Sequence, residues 1–280
     1  MKKEWNVWRS TLMFLTRIPV GKDLPHDPEL LQHTPKYFPL AGILIGTVGA
    51  FIFLLASFLF AIHFALLLSM SSTILLTGAF HEDGFADVCD AFGGGWTKEK
   101  ILTIMKDSRL GTYGVTGLIF MLAAKFMLLD GFLNIDPYHL LAERITGTLP
   151  MHQAKHLVIP CMLIAGHSIS RLMPVIIIQR YNYVTADDGS KAKPLASSKL
   201  PGSFFLVALA SALLPLLFFK AIFMLVAIPI LVAVAWLMRF FVKWIGGYTG
   251  DCLGASQQVA EIVFYASCLL IIKLISLIHI

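Results

Sequence analysis

Residues His81-Glu82-Asp83-Gly84-Phe85-Ala86-Asp87-Val88-Cys89-Asp90 carry four carboxylates within nine positions, directly after a long apolar stretch and shortly before Gly93-Gly94-Gly95. On a helix that advances about 100° per residue, Asp83, Asp87 and Asp90 fall at roughly 0°, 40° and 340°, so three acids share one narrow stripe and Glu82 lies at its flank. Like charges stacked in this way repel, and an Asp at the centre of a membrane helix costs roughly 2.5–3.5 kcal/mol. A divalent cation offsets that cost, and a ligand set made only of oxygen selects Mg²⁺ or Mn²⁺ over zinc. The plainer alternative is a helix end whose acids face water. The triple glycine, the basic segment beyond it and a second acidic site far downstream weigh against that alternative.

The elements that must hold this stripe are membrane helices. The 280 residues are 57% hydrophobic and 14% charged, with a mean hydropathy of +0.77, far from the ~25% charge of soluble domains. An all-α, polytopic bundle is therefore expected. Seven spans, within a range of six to eight, are predicted: Leu40 to Phe60, Ile62 to Phe80, Thr112 to Leu133, Leu157 to Gln179, Ser203 to Phe219, Ala221 to Phe241 and Ser256 to Ile278, each near the ~20 residues that cross a bilayer. With the N-terminus inside, sixteen of the 22 Lys and Arg fall on the cytoplasmic side, as the positive-inside rule requires. Arg144, Lys155 and Lys220 stay outside, and Lys125, Arg171 and Lys273 fall within spans. This orientation puts the acidic stripe, the basic loops and Asp251 on one cytoplasmic face.

Residues 1–37 read as an N-terminal interfacial segment rather than a cleavable signal, because Arg9 and Arg17 interrupt its apolar run and Trp5 and Trp8 suit the headgroup level. Cys89, Cys161, Cys252 and Cys268 form no C-x-x-C pair, which supports neither disulfides nor a zinc or iron–sulfur site. Internal repeats are absent, and a single domain over 1–280 is expected.

Three further constellations bear on chemistry. Lys106-Asp-Ser108-Arg109 followed by Leu-Gly-Thr-Tyr-Gly114 sets two cations and hydroxyls beside glycines whose N–H groups could approach a phosphate. Positive-inside topology alone also explains such cations. Gly246-Gly-Tyr-Thr-Gly-Asp251-Cys-Leu-Gly254 opens the last span, with Gln257, Gln258 and Glu261 following. Asp251 is placed either to cap that helix or to meet the stripe and share a cation with it. Glu261, about 15 Å further along the helix, suits a supporting position. The polar loop Tyr181 to Leu200 carries Lys191 and Lys193, and the preceding span holds His167, Ser168, Ser170 and Arg171. An intramembrane Arg is a candidate functional group by default. Lone Lys125 reads as a core or interface residue.

Two function classes use these parts. A metal-dependent transferase would bridge a pyrophosphate with carboxylate-held Mg²⁺ and neutralise it with Lys and Arg. An ion-coupled transporter would instead carry its charges near the midplane on broken, repeat-related helices. Acids gathered at one face beside cations and glycines favour the transferase.

The blocks His81-x-Asp-Gly-x-Ala-Asp-x-x-Asp-x-x-Gly-Gly-Gly95, Met105-Lys-Asp-Ser-Arg-x-Gly-Thr-Tyr-Gly114 and Gly246 to Ala255 strongly resemble the cobalamin synthase family, the adenosylcobinamide-GDP ribazoletransferases. Phe14-Leu-Thr-Arg-Ile-Pro19 and Phe38-Pro-Leu-x-Gly42 fit as well. A broader likeness to CDP-alcohol phosphatidyltransferases fails at Asp87, which stands where their Asp-Gly-x-x-Ala-Arg pattern has Ala. The resemblance implies an inner-membrane enzyme that joins adenosylcobinamide-GDP to α-ribazole, or to its 5′-phosphate, and releases GMP in a late step of vitamin B12 assembly. It implies Mg²⁺ on Asp83, Asp87 and Asp251, with Glu82 a further candidate ligand. Asp90 becomes an outer ligand or general base, and Lys106 and Arg109 become phosphate contacts. Ser108, Arg17, Arg171, Lys191 and Lys193 complete the expected substrate contacts. The expected partners are those two substrates and the lipid bilayer, with no nucleic acid; self-association and association with other cobalamin-assembly enzymes would fit the same role.

Overall fold

The computed structural model describes residues 2–25, 27–147, 150–184 and 199–278. Lys191 and Lys193 lie outside the described residues. Among those described, the α-helices are α1 (Lys2–Leu15), α2 (Pro28–His33), α3 (Phe38–Leu59), α4 (Ile62–Thr77), α5 (Phe80–Gly94), α6 (Lys98–Met105), α7 (Thr112–Asp130), α8 (Pro137–Leu140), α9 (Glu143–Thr146), α10 (Met151–Ser170), α11 (Leu172–Arg180), α12 (Gly202–Leu213), α13 (Ala227–Ile245) and α14 (Gly250–Ile278). Strand pairing among the described residues is limited to two isolated bridges, Leu141 with Phe219 and Tyr183 with Tyr248.

Among the described residues, five helical runs are long and apolar enough to cross a membrane: Glu29–Leu59, Thr112–Asp130, Ala154–Arg180, Ala221–Ile245 and Gly250–Leu277. A sixth is obtained only by taking α4 and α5 together, and these are bent by 87°. Five to six long spans among the described residues bear out the polytopic helical bundle, at and below the low end of the expected six to eight. The apolar helix Gly202–Phe218 falls below span length, because Pro215 lies where the chain tightens from α12 into a 3₁₀ turn at Leu214–Phe218 and a proline cannot donate to the helical ladder. The expected span Ile62 to Phe80 also stops short. Gly78 and Ala79 both adopt left-handed backbone, at φ of 67° and 58°, and together they turn the chain sharply into α5. A non-glycine residue in that region is uncommon, and such strain tends to persist near functional sites.

Small residues set the closest packing. Gly42 and Gly46 on α3 face the α10 backbone, where a Cβ on Gly46 would stand 2.6 Å from Ile164 Cα. This is a G-x-x-x-G contact, in which missing side chains let two membrane helices touch. A second close crossing joins α5 and α14. A Cβ on Gly84 would lie 3.0 Å from Asp251 Cα, and one on Gly254 would lie 3.3 Å from the His81 carbonyl. The chain before α14 is held by Tyr248, whose N–H donates to Asn182 O at 3.1 Å and whose carbonyl accepts from Val184 N at 2.8 Å.

Candidate active site at the crossing of two helices

Helix α5 gives the three aspartates of the stripe no common environment. His81, Glu82, Gly84, Ala86, Val88, Asp90 and Ala91 are buried, whereas Asp83 is exposed and Asp87 half-buried. The Gly84 crossing brings the first residues of α14, Asp251 among them, against this helix. Sequence reasoning left open whether Asp251 merely caps its helix. The cap is Thr249, whose Oγ1 accepts from Cys252 N at 3.3 Å. The same hydroxyl donates to Asp251 Oδ2 at 3.5 Å, so Asp251 adjoins the cap without being the capping residue. Among the described residues no Lys or Arg forms an ion pair with Asp83, Asp87 or Asp251.

The donor set at this crossing is hard carboxylate oxygen from two helices, the chemistry that suits Mg²⁺. As the side chains stand, no three His, Cys, Asp or Glu residues among those described are gathered closely enough to hold a metal ion.

Asp90 is engaged differently from its neighbours. Its two carboxylate oxygens accept from Gly111 N at 2.7 Å and Gly114 N at 2.8 Å, so it caps α7 from a neighbouring helix. A Cβ on Gly111 would lie 2.5 Å from Asp90 Oδ1. The glycines of the Leu-Gly-Thr-Tyr-Gly block do let backbone amides reach an anion, but that anion is the chain's own carboxylate. The Gly93-Gly94-Gly95 block ends α5 rather than forming a loop. Tyr113 packs its ring against Gly93, and Gly95 N donates to Ala91 O at 2.8 Å.

The cationic candidates divide by place. Lys106, Ser108 and Arg109 are exposed on the connection from α6 to α7. Arg109 pairs with Asp107 at 2.6 Å, and hydrogen bonds from that guanidinium hold the Asp107 carboxyl down to about 2. Arg17 is exposed and lies across Gly78 at the α4–α5 corner, while its backbone N–H donates to Leu76 O at 2.8 Å. Arg171 is 2% exposed at the joint of α10 and α11. It donates to His167 O at 3.0 Å, and its Nε–H finds no partner.

Glu82 turns away from the stripe and into the bundle. Its Oε1 accepts from Gln258 Nε2 at 2.9 Å, and its Oε2 is buried without a partner. There it joins a polar network that sequence reasoning did not assemble. Lys125 donates to Gln258 Oε1 at 2.8 Å and pairs with Glu261 at 3.3 Å. Gln257 bridges Ser170 Oγ at 2.8 Å and Glu261 at 2.9 Å, and Tyr265 donates to Glu261 at 3.1 Å. Lys125 is thus a buried partner of Glu261 rather than a lone core residue. The available signal was charge balance, since a cation within one span calls for an anion within another. Beside the network, a pocket holding about 390 Å³ of empty space, its open mouth included, lies between α1, α3, α5, α11 and α14.

The sequence profile of the family described as cobalamin-5-phosphate synthase matches residues 7–269. Three relatives, each named adenosylcobinamide-GDP ribazoletransferase, come from Shewanella frigidimarina, Leptospira interrogans and Vibrio cholerae. The first is 39% identical over 268 residues, covering 94% of both chains. The second is 36% identical and covers 95% of both. The third is 38% identical and covers 90% of this chain and 88% of its own. No solved structure matches the chain. A profile spanning nearly the whole sequence, and full-length relatives well above 30% identity, place the chain in the cobalamin-5-phosphate synthase family.

Proposed function

We propose that the chain is an adenosylcobinamide-GDP ribazoletransferase of the cytoplasmic membrane, with its acidic site on the cytoplasmic face. The observation that carries the reading is the crossing at Gly84, which sets the backbone of Asp251 against the helix that bears Asp83 and Asp87, with no Lys or Arg among the described residues ion-paired to these acids. A ribose hydroxyl of α-ribazole, or of its 5′-phosphate, attacks the phosphorus attached to cobinamide. The new P–O bond forms as the bond to the GMP oxygen breaks, so GMP leaves with that electron pair. The product is adenosylcobalamin or its 5′-phosphate.

Asp83, Asp87 and Asp251 would hold Mg²⁺, which when bound supplies positive charge to the pyrophosphate oxygens. A carboxylate of this acidic site would take the attacking hydroxyl's proton, and because that proton need leave only as the bond forms, its basicity need not be extreme. Asp90 keeps α7 docked through the Gly111 and Gly114 amides. Exposed Lys106 and Arg109 receive the donor's phosphates from the aqueous side. The sixteen cytoplasmic cations support the orientation, and Asp87 argues against a CDP-alcohol substrate.

The test is purified protein in liposomes given adenosylcobinamide-GDP, α-ribazole and Mg²⁺. GMP and cobalamin should appear in equal amounts. No product with either Mg²⁺ or Mn²⁺ would refute the reading, and turnover of a CDP-alcohol instead would replace it.

A further inference from the structure

We propose that Gln258 is a positioning residue: its amide pins Glu82, fixes the roll of α5 about its own axis and so sets where Asp83 and Asp87 point. This role rests on the transfer reading above and adds what holds the acidic helix in register. Gln258 Nε2 donates to Glu82 Oε1 at 2.9 Å, and Gln258 Oε1 accepts from Lys125 Nζ at 2.8 Å. Charge decides both ends of the amide. An ammonium only donates and an ionised carboxylate only accepts, so the oxygen must face Lys125 and the nitrogen must face Glu82. Lys125 is itself held by Glu261 at 3.3 Å. One side chain thus ties α5, α7 and α14 together inside the bundle, where Glu82, Lys125 and Gln258 are all buried.

Helix geometry makes this pin matter to the acids. Glu82 and Asp83 are neighbours about 100° apart around α5, so holding one inward holds the other outward. Glu82 is buried and Asp83 exposed. Glu82 Oε2 has no partner, and the bond from Gln258 is the one hydrogen bond its carboxylate makes among the described residues. Without that donor a buried carboxylate is stranded, a state costly enough to drive it toward water. The helix would roll to let it out. Further along α5, Asp90 is pinned by the amides of Gly111 and Gly114. Asp83 and Asp87 lie between the two pinned acids.

The place of Gln258 on α14 adds a second constraint. It follows Asp251 by two helical turns, about 20° from the same face and about 10.5 Å along the axis. The contact of Gly84 with the Asp251 backbone sets where the two helices cross, and the bond from Gln258 to Glu82 sets how α5 is turned there. Side chains reach about 5 Å from a helix axis, so a roll of about 12° moves a carboxylate by about 1 Å. Displacing a reacting group that far costs about a hundredfold in rate. Gln258 therefore acts on the chemistry without touching either substrate, and Glu82 serves as its handle on α5 rather than as a metal ligand.

The experiment compares the full wild-type chain in liposomes with Gln258→Met, Gln258→Glu and the swap Glu82→Gln with Gln258→Glu. The swap keeps a hydrogen bond between α5 and α14 and keeps an acceptor facing Lys125. Each single Gln258 variant should lower kcat at least tenfold with both KM values within twofold, and the swap should restore kcat to within threefold of wild type. A loss carried by KM overturns the proposal. A swap as slow as Gln258→Glu overturns it too and returns Glu82 to the metal. If both single variants failed to fold, a folded and active swap would still support the pin, and an inactive one would still sink it. Cys89 gives a readout that needs no turnover. It follows Glu82 by seven residues on nearly the same face of α5, is half-buried against Gly117, and the other three cysteines are buried. In detergent, a water-soluble maleimide should label it at least threefold faster in Gln258→Met than in wild type, and at the wild-type rate in the swap. Equal rates in all three would show that α5 does not roll. A wild type that transfers nothing, with labelling that follows this pattern, would sink the transfer reading and leave the pin standing.

Discussion

Gly84→Ala tests the crossing that unites the two acidic helices. A Cβ there would sit 3.0 Å from Asp251 Cα and 3.1 Å from Asp251 O, against 3.4 Å for the near edge of ordinary contact. Both neighbours are backbone atoms and cannot rotate aside, so α5 and α14 must part by about 0.4 Å. Misplacing reacting groups by 1 Å costs about a hundredfold in rate, so 0.4 Å scaled on the same logarithmic line costs roughly five- to tenfold, or ~1 kcal/mol of barrier. Stability should respond differently. Alanine gains up to ~1 kcal/mol of helix propensity over glycine, which offsets part of an overpacking cost of about 1–3 kcal/mol. Gly94→Ala in the same helix is the control, because its Cβ would meet only Ile104 Cδ1, at 3.5 Å. The assay is GMP release in liposomes, with thermal unfolding in detergent alongside. Gly84→Ala should lose kcat out of proportion to stability, and Gly94→Ala should keep it. If Gly84→Ala retained kcat within twofold, the crossing would not set the catalytic geometry.

Asp83→Asn should insert normally, since it removes a charge at an exposed position, and should lower turnover by orders of magnitude; wild-type rates would remove Asp83 from the metal set. Arg109→Lys keeps the topological charge but loses the planar fork that grips a phosphate, so kcat/KM for adenosylcobinamide-GDP should fall roughly tenfold, and normal kinetics in both Arg109→Lys and Arg109→Gln would return the residue to topology alone. Glu261→Gln strands Lys125, 3.3 Å from it in the buried network, and should cost about 3–5 kcal/mol of unfolding free energy; adding Lys125→Met should recover much of that loss, and simple additivity of the two changes would show that the pair is not coupled. Hydrogen bonding to Lys36 lowers the Glu4 carboxyl below its ordinary 4.5, so its contribution to docking α1 is complete above that value and disappears as pH falls through the lowered one. Fluorescence of Trp8, 5.8 Å from Tyr37, in a chain whose other tryptophans are Phe should report that release below about pH 4, and a signal flat down to pH 2 would contradict it.

Local pattern was enough for some of this molecule. Apolar runs of bilayer length made it an all-helical membrane chain, because backbone groups in lipid must satisfy one another within a helix. The period of 3.6 put Asp83, Asp87 and Asp90 on one stripe, and the ordered motif blocks pointed to the family that the profile and the relatives then showed. Hydropathy cannot see a bend. The left-handed pair Gly78–Ala79 and the 3₁₀ turn at Pro215 shorten segments whose composition alone looks adequate.

Tertiary contacts decided the rest, since each depends on which residue from a distant segment arrives opposite. The stripe's three acids have three different environments: Asp83 is exposed, Asp87 is half-buried, and Asp90 is spent on the amides of Gly111 and Gly114. The capping role falls to Thr249, whose hydroxyl accepts from Cys252 N and donates to Asp251 Oδ2. Lys125 and Glu261 stand 136 positions apart in the sequence, and no periodicity relates them. The sequence by itself determined helix faces, membrane residence and family, which are properties of neighbours along one chain. Only the folded bundle determined which carboxylates meet, which are already occupied, and where a buried guanidinium keeps an open donor, because burial and hydrogen-bond partnership are made between helices.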